Sequence, residues 1–160
     1  MGAKKLAFYA GASYGVDMSE ADAQKAWEAY HRTYNVYSTW CNDKRAIAKN
    51  LGFVRTPKGK MRKLEEGEAY TRAINTPVQG GAAEVMFVTM QIARKLLRDK
   101  GMLVNTVHDS IIVECPKDRS KEVLAITYRA MAEGMLSVFK NATVKGIAEG
   151  GIGGTWGEAE

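Results

Sequence analysis

Histidine and cysteine are scarce in this 160-residue chain, with two of each, no CxxC spacing and no neighbouring His–Cys pair. That excludes the ligand pattern of a structural zinc site and a disulfide framework, so Cys41 and Cys115 are read as buried or partly buried free thiols. No apolar run approaches the roughly 18 residues a membrane span needs, and the start has no signal-peptide h-region. A soluble, cytoplasmic protein without a membrane partner is expected. There is no internal repeat and no low-complexity linker. At 46% apolar residues the chain can form the core of one ordinary domain.

Acidic residues are missing altogether from residues 44–64, where Lys44, Arg45, Lys49, Arg55, Lys58, Lys60, Arg62 and Lys63 fall. These eight exceed the net charge of +5, so the remainder of the chain is acidic on balance. One basic segment on a neutral or acidic body suits a phosphate-facing element, because each neutralised phosphate releases counterions and adds affinity. A solvated face is the competing reading. Within this segment Pro57-Lys58-Gly59 separates residues of strand type, so 52–64 is read as a hairpin with its cations projecting outward.

Ser19 and Asp22 form the pattern of a capping box, opening a helix that carries Trp27, Tyr30, Tyr34, Tyr37 and Trp40 at spacings of three and four. That spacing gathers aromatics on one face and is read as a core stripe rather than a base-stacking surface. After an acidic loop at 65–68, a loop through residue 78 feeds a helix from about Gln79 to Lys100. Its apolar face is Val85, Val88, Ile92 and Leu96, and Gly101 is placed to end it. A last helix covers roughly Arg119 to Lys140. Residues 144–156, rich in glycine, are read as one more short strand and a turn with Trp156 packed.

Between the last two helices, Leu103, Val104 and Val107 meet Ile111, Ile112 and Val113 across His108-Asp109-Ser110. Both runs have strand type and length, so Asp109 should occupy the tip of a tight hairpin. Asp is a common turn former. A carboxylate on so rigid a support also suits a hard cation such as Mg2+, which is usually held by one or two carboxylates with water and substrate phosphate.

The order Asn75-Thr76-Pro77-Val78-Gln79-Gly80, a long helix, then Val107-His108-Asp109 between apolar strands resembles the C-terminal part of family A DNA polymerases, the bacterial polymerase I and phage replicative enzymes. The likeness runs from about Gly15 to the end, including GFVRTPKGKMRKL and GIGGTWGEAE. The phage-type members are the nearest in pattern. The resemblance implies an α+β fold, with helices packed on a small antiparallel palm-type sheet bearing a catalytic hairpin, and an incomplete palm and fingers. Residues 1–70 would be a fingers-derived helical segment with the basic hairpin, and 71–160 a palm-derived segment.

It also implies a function: one part of a template-directed DNA polymerase, a nucleotidyltransferase of DNA replication. Asp109 would be a catalytic, metal-binding carboxylate of a two-metal Mg2+ site, and His108 would lie near the primer terminus, unless it is a structural histidine. Arg72, Asn75 and Gln79, with Lys58, Lys60, Arg62 and Lys63, would bind primer-template DNA. For Asn75 the competing reading is a helix cap or turn residue. The chain departs from the family at Ser110, where Glu is usual, and at Arg72, three residues before the Asn rather than four.

Two family motifs are missing: the D-Y-S-x-I-E strand with the other metal-binding Asp, and the fingers helix with Lys and, eight residues later, Tyr-Gly. Tyr14-Gly15 does not supply the latter, since Leu6 lies eight residues before Tyr14. Lys4 to Tyr14 is read instead as a helix that follows it. An upstream polypeptide should therefore provide the missing Asp and the Lys for the deoxynucleoside triphosphate, leaving this chain inactive alone and its palm hairpin with an unpaired edge. The alternative is a non-catalytic DNA-binding scaffold. A metal-dependent phosphohydrolase using His108-Asp109 is a weaker rival, because His31 is the only other histidine.

Overall fold

A computed structural model describes residues 2–65 and 67–159. The chain divides into two compact units, residues 1–50 and 51–160. The basic hairpin thus belongs to the same unit as the long helix after it, whereas the sequence reading grouped it with the preceding helices.

The first unit holds α1 (Ala3–Tyr14), α2 (Glu20–Thr33) and most of α3 (Asn35–Leu51). Helix α1 ends because Gly15 adopts φ 64°, with Val16 N–H returning to the Ala10 carbonyl and Gly15 N–H to the Gly11 carbonyl. Ser19 caps α2 as expected: its Oγ accepts from Asp22 N–H at 3.1 Å and donates to Asp22 Oδ2 at 2.7 Å.

The aromatic stripe is a correction. Tyr34 leaves helical geometry at φ −105° and ψ 50°, so the rings lie on two helices, and His31 Nδ1 contacts Ser38 Oγ at 2.6 Å across the break. Tyr30, Tyr34 and Tyr37 are exposed rather than buried in a core. They meet one another instead, with Tyr30–Tyr34 centroids 4.9 Å apart and Tyr37 stacked on Trp40 at 6.0 Å. The buried residues of these helices are the small Ala23, Cys41 and Ala48. Helical spacing collects rings without saying what covers them.

The second unit is built on α4 (Ala69–Leu97), with β1 (Phe53–Arg55) and β2 (Met61–Lys63) before it. After it come β3 (Met102–Val107), β4 (Ser110–Glu114) and α5 (Ser120–Val138). Each strand pair is a separate two-stranded antiparallel sheet. Among the described residues, β3 and β4 therefore each keep one edge without a strand partner. Helices on small antiparallel sheets make this an α+β fold.

Helix α4 starts ten residues earlier than expected and runs through Pro77, at 29 residues about 43 Å long. Proline lacks an N–H, so the Ala73 carbonyl loses its helical donor, yet the helix continues. The first turn is held by Glu68, whose Oε2 accepts from Glu65 N–H at 2.9 Å and whose Oε1 pairs with Arg72 at 2.5 Å. Glu66, also in the acidic segment, lies outside the described residues. The helix ends at Leu97 because Arg98 turns to φ 46°, not because of Gly101. At Gly101 the constraint is space: a Cβ would lie 3.0 Å from the Glu114 carbonyl oxygen.

Helices α4 and α5 bury Ala93, Leu97, Val123 and Ala130, and Leu103, Ile111 and Val113 of the β3–β4 hairpin pack on this cluster. The two helices come very close at Gly134, where a Cβ would stand 2.1 Å from Thr89 Oγ1. Beyond α5 no strand forms in 144–156. Few apolar residues alternate there, and the chain turns on itself instead, with Tyr128 donating to the Gly150 carbonyl at 3.1 Å and Gly154 N–H to Glu158 Oε2 at 2.8 Å. Trp156 is half exposed, contrary to the expectation that it packs.

Candidate functional site

The β3–β4 hairpin closes on the pair Val107–Ser110, leaving His108 and Asp109 as the whole turn. A two-residue hairpin turn demands a positive φ at its first central residue, usually supplied by Asn or Gly. Here His108 adopts φ 53°. For an L residue that conformation costs about 1 kcal/mol, so the histidine is held where a glycine would be easier. Both turn side chains are exposed. Leu103, Ile111 and Val113 anchor the strands to α4 and α5, so the Asp109 carboxylate projects from a supported tip.

Asp109 brings one carboxylate. Among the described residues no three His, Cys, Asp or Glu side chains converge to hold a metal, and the adjacent Ser110 offers only a neutral hydroxyl. This donor set suits half of an Mg2+ site, one carboxylate that leaves the other positions to a second acid, water and phosphate.

Arg72, Asn75 and Gln79 all lie inside α4 rather than at a loop-to-helix junction, because the helix begins at Ala69. Spacings of three and four keep them on neighbouring turns. Asn75 and Gln79 are exposed, with Pro77 between them, whereas Arg72 is ion-paired with Glu68. The two amides thus face solvent, and the Arg72 guanidinium pairs with a carboxylate while remaining partly exposed.

The basic hairpin pairs Phe53 with Lys63, Val54 with Arg62 and Arg55 with Met61. Its tip is a turn in which Gly59 N–H returns to the Thr56 carbonyl at 2.9 Å, with Pro57 at the second position and Gly59 at φ 93°. Lys58, Lys60, Arg62 and Lys63 are all exposed, as expected of cations aimed at solvent or phosphate. Arg55 is occupied, donating to the Gly59 carbonyl at 2.8 Å and lying over the Phe53 ring at 5.2 Å.

One residue escaped the sequence reading. Glu84 on α4 accepts from the Thr56 hydroxyl through Oε1 and from Lys58 N–H through Oε2, at 2.9 Å in the second case. The signal was the doublet Gly80-Gly81 one turn before this acid. Glycine inside a helix costs about 1 kcal/mol relative to alanine, so two together point to a close neighbour. Here a Cβ on Gly80 would lie 2.5 Å from Thr56 Cγ2, and one on Gly81 2.6 Å from Phe139 Cζ.

Residues 1–158 match the family described as DNA polymerase family A. The chain belongs to that family. Among curated family A relatives it is 30% identical over 146 residues to DNA polymerase I of Aquifex aeolicus, a match covering 89% of this chain and 25% of the relative. It is 31% identical over 121 residues to the DNA polymerase of Bacillus phage SP01, covering 68% of this chain and 13% of that one. The chain thus spans a quarter or less of the length of these polymerases. The fold is shared with the POL domain of Pol1 from M. smegmatis, solved in complex with DNA primer-template and dNTP. That likeness has a TM-score of 0.68 over 82% of this chain and 26% of that one, at 21% identity. No helix among the described residues is long and apolar enough to cross a membrane.

Proposed function

We propose that this chain is the C-terminal portion of a template-directed family A DNA polymerase and that its Asp109 is one of the metal-binding carboxylates of the nucleotidyl-transfer site. The carrying observation is Asp109 itself, exposed on the strained two-residue tip of a hairpin packed on α4 and α5, in a chain that matches the family over residues 1–158. In this reading the helices within 1–70 derive from the fingers and 71–160 from the palm, with the basic hairpin packed on the palm side. The site works in the cytoplasm, that of the host if the source is viral.

The reaction joins a primer 3′-hydroxyl to the α-phosphorus of a deoxynucleoside triphosphate and releases pyrophosphate. Bound Mg2+ would stabilise the charge on the attacking and leaving oxygens. This chain's residues do the holding. Asp109 provides an anionic oxygen at a fixed point, and His108 beside it faces the primer end. Asn75 and Gln79 present amides that can donate to the minor-groove acceptors shared by all base pairs, which suits copying any sequence. Lys58, Lys60, Arg62 and Lys63 neutralise backbone phosphates. Because catalysis of phosphoryl transfer is mainly positioning and electrostatics, one carboxylate without its partner acid and without a triphosphate lysine leaves the chain inactive alone.

The test is complementation. Mixed with an upstream polypeptide that carries the D-Y-S-x-I-E strand and the K-x7-Y-G helix, this chain should extend a primer, and neither piece should do so separately. A mixture with no activity that still binds primer-template DNA would favour the second reading, a non-catalytic DNA-binding scaffold. The exposed cations of the hairpin support that alternative equally well.

A further inference from the structure

Resting on the DNA-binding reading above, we infer that Glu84 is a positioning residue that clamps the basic hairpin onto α4, so that its cations and the Asn75 and Gln79 amides address one nucleic acid as a single surface. The contacts form a chain: Lys60 N–H donates to Thr56 Oγ1 at 3.0 Å, the Thr56 hydroxyl donates to Glu84 Oε1, and Lys58 N–H donates to Glu84 Oε2 at 2.9 Å. One carboxylate thereby fixes the backbone on both sides of the tip. Thr56 is almost fully buried, and Gly80 and Gly81 leave the helix bare where Thr56 and Pro57 sit, with Pro57 Cγ 3.1 Å from the place a Gly81 Cβ would take.

The charge argument sharpens this. An acid beside a phosphate-facing hairpin works against binding a polyanion, and a carboxylate that merely balanced the lysines would contact their ammonium groups. Among the described residues Glu84 makes no ion pair with Lys58 or Lys60; its oxygens take a hydroxyl and a backbone N–H. Its role is therefore to hold the backbone. Gln79 precedes Gly80 by one residue, so the clamp brings the hairpin against the stretch of α4 that presents the amides.

The experiment measures binding of a fluorescent primer-template duplex over a range of salt concentrations, for the wild type, Glu84→Gln, Thr56→Val and Thr56→Ser. Loss of the clamp should weaken binding by about fivefold or more in Glu84→Gln, since hydrogen bonds to a charged group are among the stronger ones, and should also flatten the salt dependence. Simple charge removal predicts the opposite, tighter binding. Thr56→Val keeps both volume and net charge and should weaken binding likewise, while Thr56→Ser restores it by keeping the hydroxyl. Wild-type binding that Glu84→Gln and Thr56→Val leave unchanged or strengthen would overturn the inference alone. No salt-sensitive binding by the wild type would overturn the DNA-binding reading and the inference with it.

Discussion

Replacing Lys58 and Lys60 together by alanine should halve the salt dependence of binding to a primer-template duplex. The hairpin exposes four cations with no internal partner among the described residues, Lys58, Lys60, Arg62 and Lys63, while Arg55 is held by the Gly59 carbonyl and the Phe53 ring. Each phosphate neutralised on duplex DNA contributes about −0.9 to the slope of log K against log salt, so four give roughly −3.6. Raising salt from about 50 to 200 mM should then weaken wild-type binding by about 150-fold. With two cations removed the slope falls to about −1.8 and the loss to about 12-fold. Fluorescence anisotropy at four or five salt concentrations measures both slopes. An unchanged slope in the double variant would refute the assignment of these lysines to phosphate, whatever the absolute affinity.

Two further predictions concern stability. His108→Val should lower stability by about 1–2 kcal/mol, since a β-branched residue resists φ 53°, whereas His108→Asn should be close to neutral; chemical denaturation distinguishes them. Gly134→Ala should cost about 1–3 kcal/mol by overpacking, because its methyl would stand 2.1 Å from Thr89 Oγ1, and Thr89→Ala in the same chain should recover part of the loss. Equal melting temperatures for Gly134→Ala and the wild type would contradict the close α4–α5 approach.

The hairpins were legible in the sequence because their signals are local. Strand-type residues flank both turns; Pro57-Lys58-Gly59 adds the usual turn chemistry, whereas His108-Asp109 is marked by the apolar runs on either side, since His is not the usual residue for φ 53°. The start of α4 was misread because Pro77 ordinarily marks a boundary, whereas Glu68, bonded to Glu65 N–H and Arg72, starts the helix well before it. The aromatic residues from Trp27 to Trp40 have true helical spacing, but periodicity could not show that the helix breaks at Tyr34 or that the three tyrosines stay exposed while the two tryptophans are only partly buried. Glu84 was missed for a different reason: its partners Thr56 and Lys58 lie 28 and 26 residues away, and only folding brings them together. The Asp109 assignment drew on resemblance. Its position at the tip could be read from the residues, but a lone exposed carboxylate does not declare its metal.

The most direct measurement is primer extension by the assembled pair, with Asp109→Ala compared against the wild-type chain across an Mg2+ titration. If Asp109 supplies a metal carboxylate, the variant should still assemble and bind primer-template, yet lose extension by about 10³-fold or more. Extension at the wild-type rate by the Asp109→Ala assembly would contradict the account at its centre.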